Sequence, residues 1–216
     1  MGGRPNEVDT ETFLGIATAP GRTRLDRALT LYRKLEDVCG IAFVHYCLGG
    51  VSWITGNPPG ARTRYREALR LARTIESDFL IGGALCGTGF VALEQDDLDG
   101  VRAAFTEAAG PLPGAYGRDG LADCLCGFAS LALRAGDAEK AAILVDAADA
   151  TRERIGSFLS VKWDSLFAAI SSGVRAALGD GSFQEAHSTG MGRGTWEAGM
   201  RASVGVVHAH LPVHDS

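Results

Sequence analysis

Shifting the sequence against itself by 40 residues brings Ala28, Ala68, Ala108 and Ala148 into register. Three positions earlier the same shift aligns Leu25, Tyr65, Phe105 and Val145, and four before that Gly21, Ala61, Val101 and Ala141. The spacing i, i+4, i+7 marks one face of a helix. A second set precedes each of these helices. The stretches from Ile41, Ile81 and Leu121 share apolar residues at Ile41/Ile81/Leu121, Val51/Val91/Leu131 and Trp53/Leu93/Leu133. Each unit is therefore expected to be two helices. Short turns join them at Gly56-Asn57-Pro58-Pro59, Asp96-Asp97-Leu98-Asp99 and Gly136-Asp137. In these turns glycine closes one helix, and proline or aspartate opens the next.

One such pair cannot bury its own apolar face and must stack on its neighbour, so four units predict an all-α solenoid of antiparallel helix pairs. Small residues at Gly49/Gly89/Ala129 let helix axes approach, and the row Tyr65/Phe105/Val145 fills the space between units. The first unit keeps a clear second helix from Arg22 to Asp37 but only a short first one, Thr12 to Thr18, before Pro20. Past Ile155 the register slips. Phe158 to Leu178 still reads as an amphipathic helix, and Ser182 to His187 as the start of another, which together make a divergent capping pair. The expected organisation is a partly ordered segment over 1–20, the repeat domain over 21–190, and a short helix (Thr195 to Val204) with a flexible tail over 191–216.

The pattern is similar to tetratricopeptide repeats, and in particular to the repeat segment of large bacterial signal-transduction ATPases that carry LuxR-type or SARP-type DNA-binding domains. The resemblance spans roughly residues 20 to 190. Its strings are ALTLYRKLEDVCGIAFVHYCLGGVSWITGNPPGARTRYREALRLARTIES, GDAEKAAILVDAADATRERIG and AALGDGSFQEAHSTG, and its strongest positions are Leu48-Gly49, Gly56, Ala61, Tyr65 and Ala68-Leu69. It implies a right-handed superhelix that senses a ligand or partner in a bacterial regulatory setting. The chain has no GxxxxGK[ST] phosphate loop and no helix-turn-helix module, so neither ATP hydrolysis nor DNA binding carries over.

Charge and composition narrow the partners. The net charge is −5, and along the sequence the basic residues are spread over helical segments, which argues against a nucleic-acid footprint. Arginine dominates the basic set: Lys34, Lys140 and Lys162 are the only lysines, as a GC-rich genome would dictate. No run approaches the roughly 18 apolar residues of a membrane span, and the start is polar and acidic, so a cytoplasmic protein is expected. Four of five cysteines, Cys47, Cys86, Cys124 and Cys126, lie in apolar stretches and read as reduced and buried.

In a tetratricopeptide-like stack the first helix of each pair lines the concave face. Along Ile41 to Gly56 the stripe Ile41, Val44, Leu48 and Val51 suits the core, and Phe43, Tyr46, Gly50 and Trp53 form a second line. Its equivalents are Gly83, Cys86, Phe90 and Leu93, then Asp123, Cys126, Ser130 and Leu133. The expected binding residues are therefore Phe43, Tyr46, Trp53, Cys86, Phe90, Asp123 and Cys126, lining an apolar groove for a partner protein or a hydrophobic small molecule. The competing reading is that the aromatics only complete the core.

No cofactor, metal or catalytic residue is expected. His45, Asp123 and Cys86 could serve as base, orienter and nucleophile only if folding assembled them. Cys124-Leu-Cys126 lacks metal-binding spacing, Glu94, Asp96, Asp97 and Asp99 read as helix-capping carboxylates, GMGRG at Gly190 as a connector, and His208, His210 and His214 as tail residues. A scaffold or sensor module is thus the leading expectation. An enzyme of metabolite biosynthesis using the apolar cavity, and a homodimerising module, are the alternatives.

Overall fold

A computed structural model describes residues 19–109, 117–155, 161–179 and 181. Among these residues the protein is entirely helical. The helices are α1 (Ala19–Lys34), α2 (Val38–Ile54), α3 (Pro58–Thr74), α4 (Asp78–Glu94), α5 (Leu98–Ala109), α6 (Gly117–Arg134), α7 (Ala138–Ile155) and α8 (Val161–Leu178). The short helices expected at Thr12–Thr18, Ser182–His187 and Thr195–Val204, the glycine-rich connector and the tail histidines lie outside the described residues.

The junctions are built alike. At each, the amide of the residue in the left-handed region bonds back three residues and the next amide bonds back five. Glu36 N–H donates to Arg33 O and Asp37 N–H to Tyr32 O, and the same pair recurs at Gly56/Asn57, Glu76/Ser77, Asp96/Asp97 and Gly136/Asp137. This is a Schellman closure, and its last residue doubles as the cap of the following helix. The side chains of Asp37, Asn57, Ser77, Asp97 and Asp137 accept from the backbone N–H of Gly40, Gly60, Leu80, Gly100 and Lys140. One three-residue turn thus satisfies orphan groups of both helices, which keeps neighbouring helices antiparallel and in contact. Among the acidic cluster expected to cap, Asp97 does so. Asp96 instead occupies the left-handed position and pairs with Arg134.

The cap also sets where α2 begins. The aligned apolar stretch begins at Ile41, whereas the helix starts at Val38, directly after the cap Asp37. Gly40 is accommodated within the helix because the ring of Tyr32 lies over it, where a Cβ would come within 2.6 Å of ring carbons.

Every helix packs on the next in sequence, and α2, α4, α6 and α8 also touch one another in that order. These four therefore form a continuous row with neighbours on several sides, which is why α2 and α4 are apolar around their circumference rather than along one stripe. The aromatic row of the second helices locks that layer. Tyr65 of α3 lies between Gly49 of α2 and Gly87 of α4, and Phe105 of α5 between Gly89 of α4 and Gly127 of α6. The expected core stripe Val44, Leu48 and Val51 is buried against Leu25 and Leu29 of α1, with Ile41 beside it. A larger core runs from Trp53 through Phe90, Phe105 and Phe128 to Phe167, Ile170 and Val174 of α8.

Candidate functional site

The stripe expected to face a groove divides along α2. Trp53 is 1% exposed; its indole ring stacks on Phe90 with centroids 6.0 Å apart, and Phe90 meets Phe105 edge-on at 5.0 Å. The indole Nε1–H donates to Glu94 Oε2 at 2.8 Å, a charge-assisted bond from α2 to the end of α4. Cys86, Phe90 and Cys126 are interior as well, and Asp123 is 4% exposed. Of the seven expected residues, only Phe43 and Tyr46 reach the surface, Phe43 being 45% exposed and Tyr46 half-buried.

Those two are joined by a residue that sequence reading did not single out. Phe79, in the first turn of α4, is 41% exposed, and its ring sits edge-on to Tyr46 at 6.4 Å. Tyr46 is 6.4 Å from Phe43 on its other side and 6.2 Å from the buried Tyr65 beneath. Two successive members of this row, α2 and α4, thus present one aromatic strip, with Tyr46 anchored on the core and a phenyl ring at each end. Rings in tilted and edge-on contact make a firm apolar surface that costs little side-chain entropy to use. Phe79 escaped the sequence reading because its repeat equivalents, Cys39 and Asp119, are not aromatic.

The candidates for catalysis stand in separate environments. Cys86 Sγ lies 3.9 Å from Cys124 Sγ and 4.0 Å from Gly120 O. Its thiol is pushed well above its ordinary value, first by the bond to Cys124 and then by burial, with the Asp123 carboxylate acting in the same direction. Burial likewise raises Cys47, to about 12. Such thiols are held protonated, the opposite of an activated nucleophile. His45 faces elsewhere: Arg64 Nη1 lies 3.5 Å from its Nδ1, and Arg33, Glu67 and Arg70 are the other charges that act on it. Among the described residues, no group of three or more His, Cys, Asp or Glu is placed to hold a metal ion.

Basic residues are concentrated on two helices, α1 and α3, which both pack on α2. Arg22, Arg24, Arg27, Arg33 and Lys34 lie on α1 and Arg62, Arg64, Arg66, Arg70 and Arg73 on α3, against Asp26 and Glu67 alone. These helices are strongly basic in a protein of net charge −5. Arg62 and Arg73 reach across to carboxylates of later helices, Asp97 and Glu107. Arg70 holds Glu67 with two bonds, at 2.9 and 2.7 Å, which draws the Glu67 carboxyl below its usual range.

Among the described residues no helix is long and apolar enough to cross a membrane. No protein-family model, curated protein or solved structure matches the chain. The class its geometry defines is an all-helical protein of sequentially packed, repeat-like helices.

Proposed function

We propose that the chain is a tetratricopeptide-like α-solenoid with a 40-residue period and a right-handed superhelix, acting as a non-catalytic docking module. The observation that carries this reading is the aromatic strip Phe43–Tyr46–Phe79, which spans α2 and α4. An amphipathic helix or extended apolar segment of a partner protein is the occupant it suits: two exposed phenyl rings flank a partly sunken tyrosine, so apolar side chains set about a helical turn apart could straddle Tyr46. The interior of the row is filled by Trp53, Phe90 and Phe105, which favours a polypeptide lying on the surface over a small molecule held inside. The resemblance to the repeat segments of bacterial regulators supports a role in signalling or transcriptional control.

The test is site-directed photo-crosslinking in the source cells, with the reactive group at position 79 and, as a control, at exposed Ala103 on α5. A discrete polypeptide adduct from position 79 only, mapping to an apolar segment, is the expected result. Equal labelling from both positions, or none from either, contradicts the reading.

A further inference from the structure

Two cysteine sulfurs meet where α4 packs on α6. Cys86 of α4 is 1% exposed and Cys124 of α6 is fully buried, and their Sγ atoms lie 3.9 Å apart, close to van der Waals contact. The two helices touch directly in space, while the whole of α5 separates them in sequence. Each sulfur also faces a backbone carbonyl, Cys86 that of Gly120 in α6 at 4.0 Å and Cys124 that of Phe105 in α5 at 3.8 Å. Those carbonyls sit within helices whose own amides reach them, so loss of both S–H hydrogens leaves no buried acceptor stranded. The other cysteines stand in different places: Cys39 is exposed, and Cys47 belongs to the core cluster between α1 and α2. Among the described residues no further His, Cys, Asp or Glu joins the pair to make a set of three metal ligands, so the geometry favours a bond between the sulfurs over a shared ion.

We propose that Cys86 and Cys124 form a reversible disulfide that ties α4 to α6 when the protein meets a peroxide. One sulfur attacks a peroxide oxygen of H2O2, giving a sulfenic acid and one water. The second sulfur then displaces that hydroxyl as another water, so two thiols lose two electrons and two protons while one peroxide becomes two waters. Bonding at about 2.05 Å requires the sulfurs to close by roughly 1.8 Å, a shift on the scale of side-chain rotation in helices already in contact. In the closed stack the Cys86 thiol is held protonated, first by its contact with Cys124 and then by burial. Oxidation therefore waits on a transient parting of the two helices, and the bond that follows removes this mode of opening. The link closes a loop between residues 38 apart, which restricts the unfolded chain and stabilises the stack. The device is independent of the aromatic strip and stands whether or not that strip docks a partner.

The experiment uses the full chain with Cys39→Ser, which removes the exposed thiol and leaves four of the five cysteines. The protein is treated with hydrogen peroxide, unfolded in the presence of N-ethylmaleimide and weighed intact. The untreated chain takes up a label at each remaining cysteine. The treated chain should take up two fewer, with the Cys86 and Cys124 peptides joined in a non-reducing digest and full labelling restored by dithiothreitol. The linked protein should unfold about 5 °C or more above the reduced one. Cys124→Ala should abolish the link, and Cys86→Ala serves the same purpose if the first variant fails to fold. Full labelling after peroxide, a sulfinic acid at either sulfur without a link, a link that uses Cys47 or Cys126 instead, or a linked chain no more stable than the reduced one overturns the proposal.

Discussion

The ring of Tyr65 occupies the space that any side chain at Gly87 would need: a Cβ there would lie within 2.6 Å of ring carbons. The same ring covers Gly49 on α2, so a single aromatic side chain holds α2 and α4 at a fixed spacing. Phe105 repeats the device 40 residues on, between Gly89 and Gly127.

Glycine within a helix costs about 1 kcal/mol relative to alanine, so Gly87→Ala should stabilise if only helix propensity mattered. Overpacking against a fully buried ring costs typically 1–3 kcal/mol or more and should win. Urea denaturation is expected to show Gly87→Ala destabilised. In the Tyr65→Ala background the same change should become neutral or favourable, a coupling that additive behaviour would not produce.

Three junctions place a side chain where glycine is preferred. Glu36, Glu76 and Asp96 have φ of 55°, 51° and 59°, in positions taken at the other turns by Gly56 and Gly136. Glu76→Gly should therefore raise stability by about 0.5–1 kcal/mol, and Gly136→Ala should lower it by about 1 kcal/mol. Opposite signs of the two shifts in thermal unfolding check the shared geometry.

The Trp53–Glu94 bond makes a distinct prediction. Glu94→Ala leaves the indole N–H of a buried tryptophan without its acceptor and should cost about 1–3 kcal/mol. Glu94→Gln keeps an acceptor oxygen and should recover most of that loss. Chemical denaturation of the two variants distinguishes them, and equal stability would mean the bond contributes nothing.

His45 sets a pH dependence. Its folded pKa lies below the ordinary value of 6.5, so between the two values the unfolded chain binds the proton more readily. Its contribution to stability is complete above that ordinary value and is lost as pH falls from there through the folded pKa. His45→Gln should flatten this part of the stability profile, measured by urea denaturation.

Much of the helical order was legible in the sequence because spacing alone encodes it. The alignment of Tyr65 with Phe105 and the turn residues Gly56 and Gly136 pointed to paired helices and their junctions. The start of α2 was less legible, since the aligned apolar stretch begins at Ile41 while the cap Asp37 opens the helix at Val38. The surface residues were harder still. Phe43, Tyr46 and Trp53 share one line on α2, yet Trp53 turns into the interface with α4 while Phe43 stays outside, and a helix apolar on all sides carries no periodicity to tell these apart. Phe79 stands alone among its repeat equivalents, and the approach of Arg64 to His45 joins helices whose facing sides the sequence does not mark.

Native mass spectrometry of the protein purified from its own host, compared with a Phe43→Ala/Phe79→Ala variant of equal thermal stability, tests the docking role most directly. The account predicts a stoichiometric polypeptide on the parent protein that is lost from the variant. The same bound species on both proteins, or a parent protein carrying no polypeptide, would contradict it.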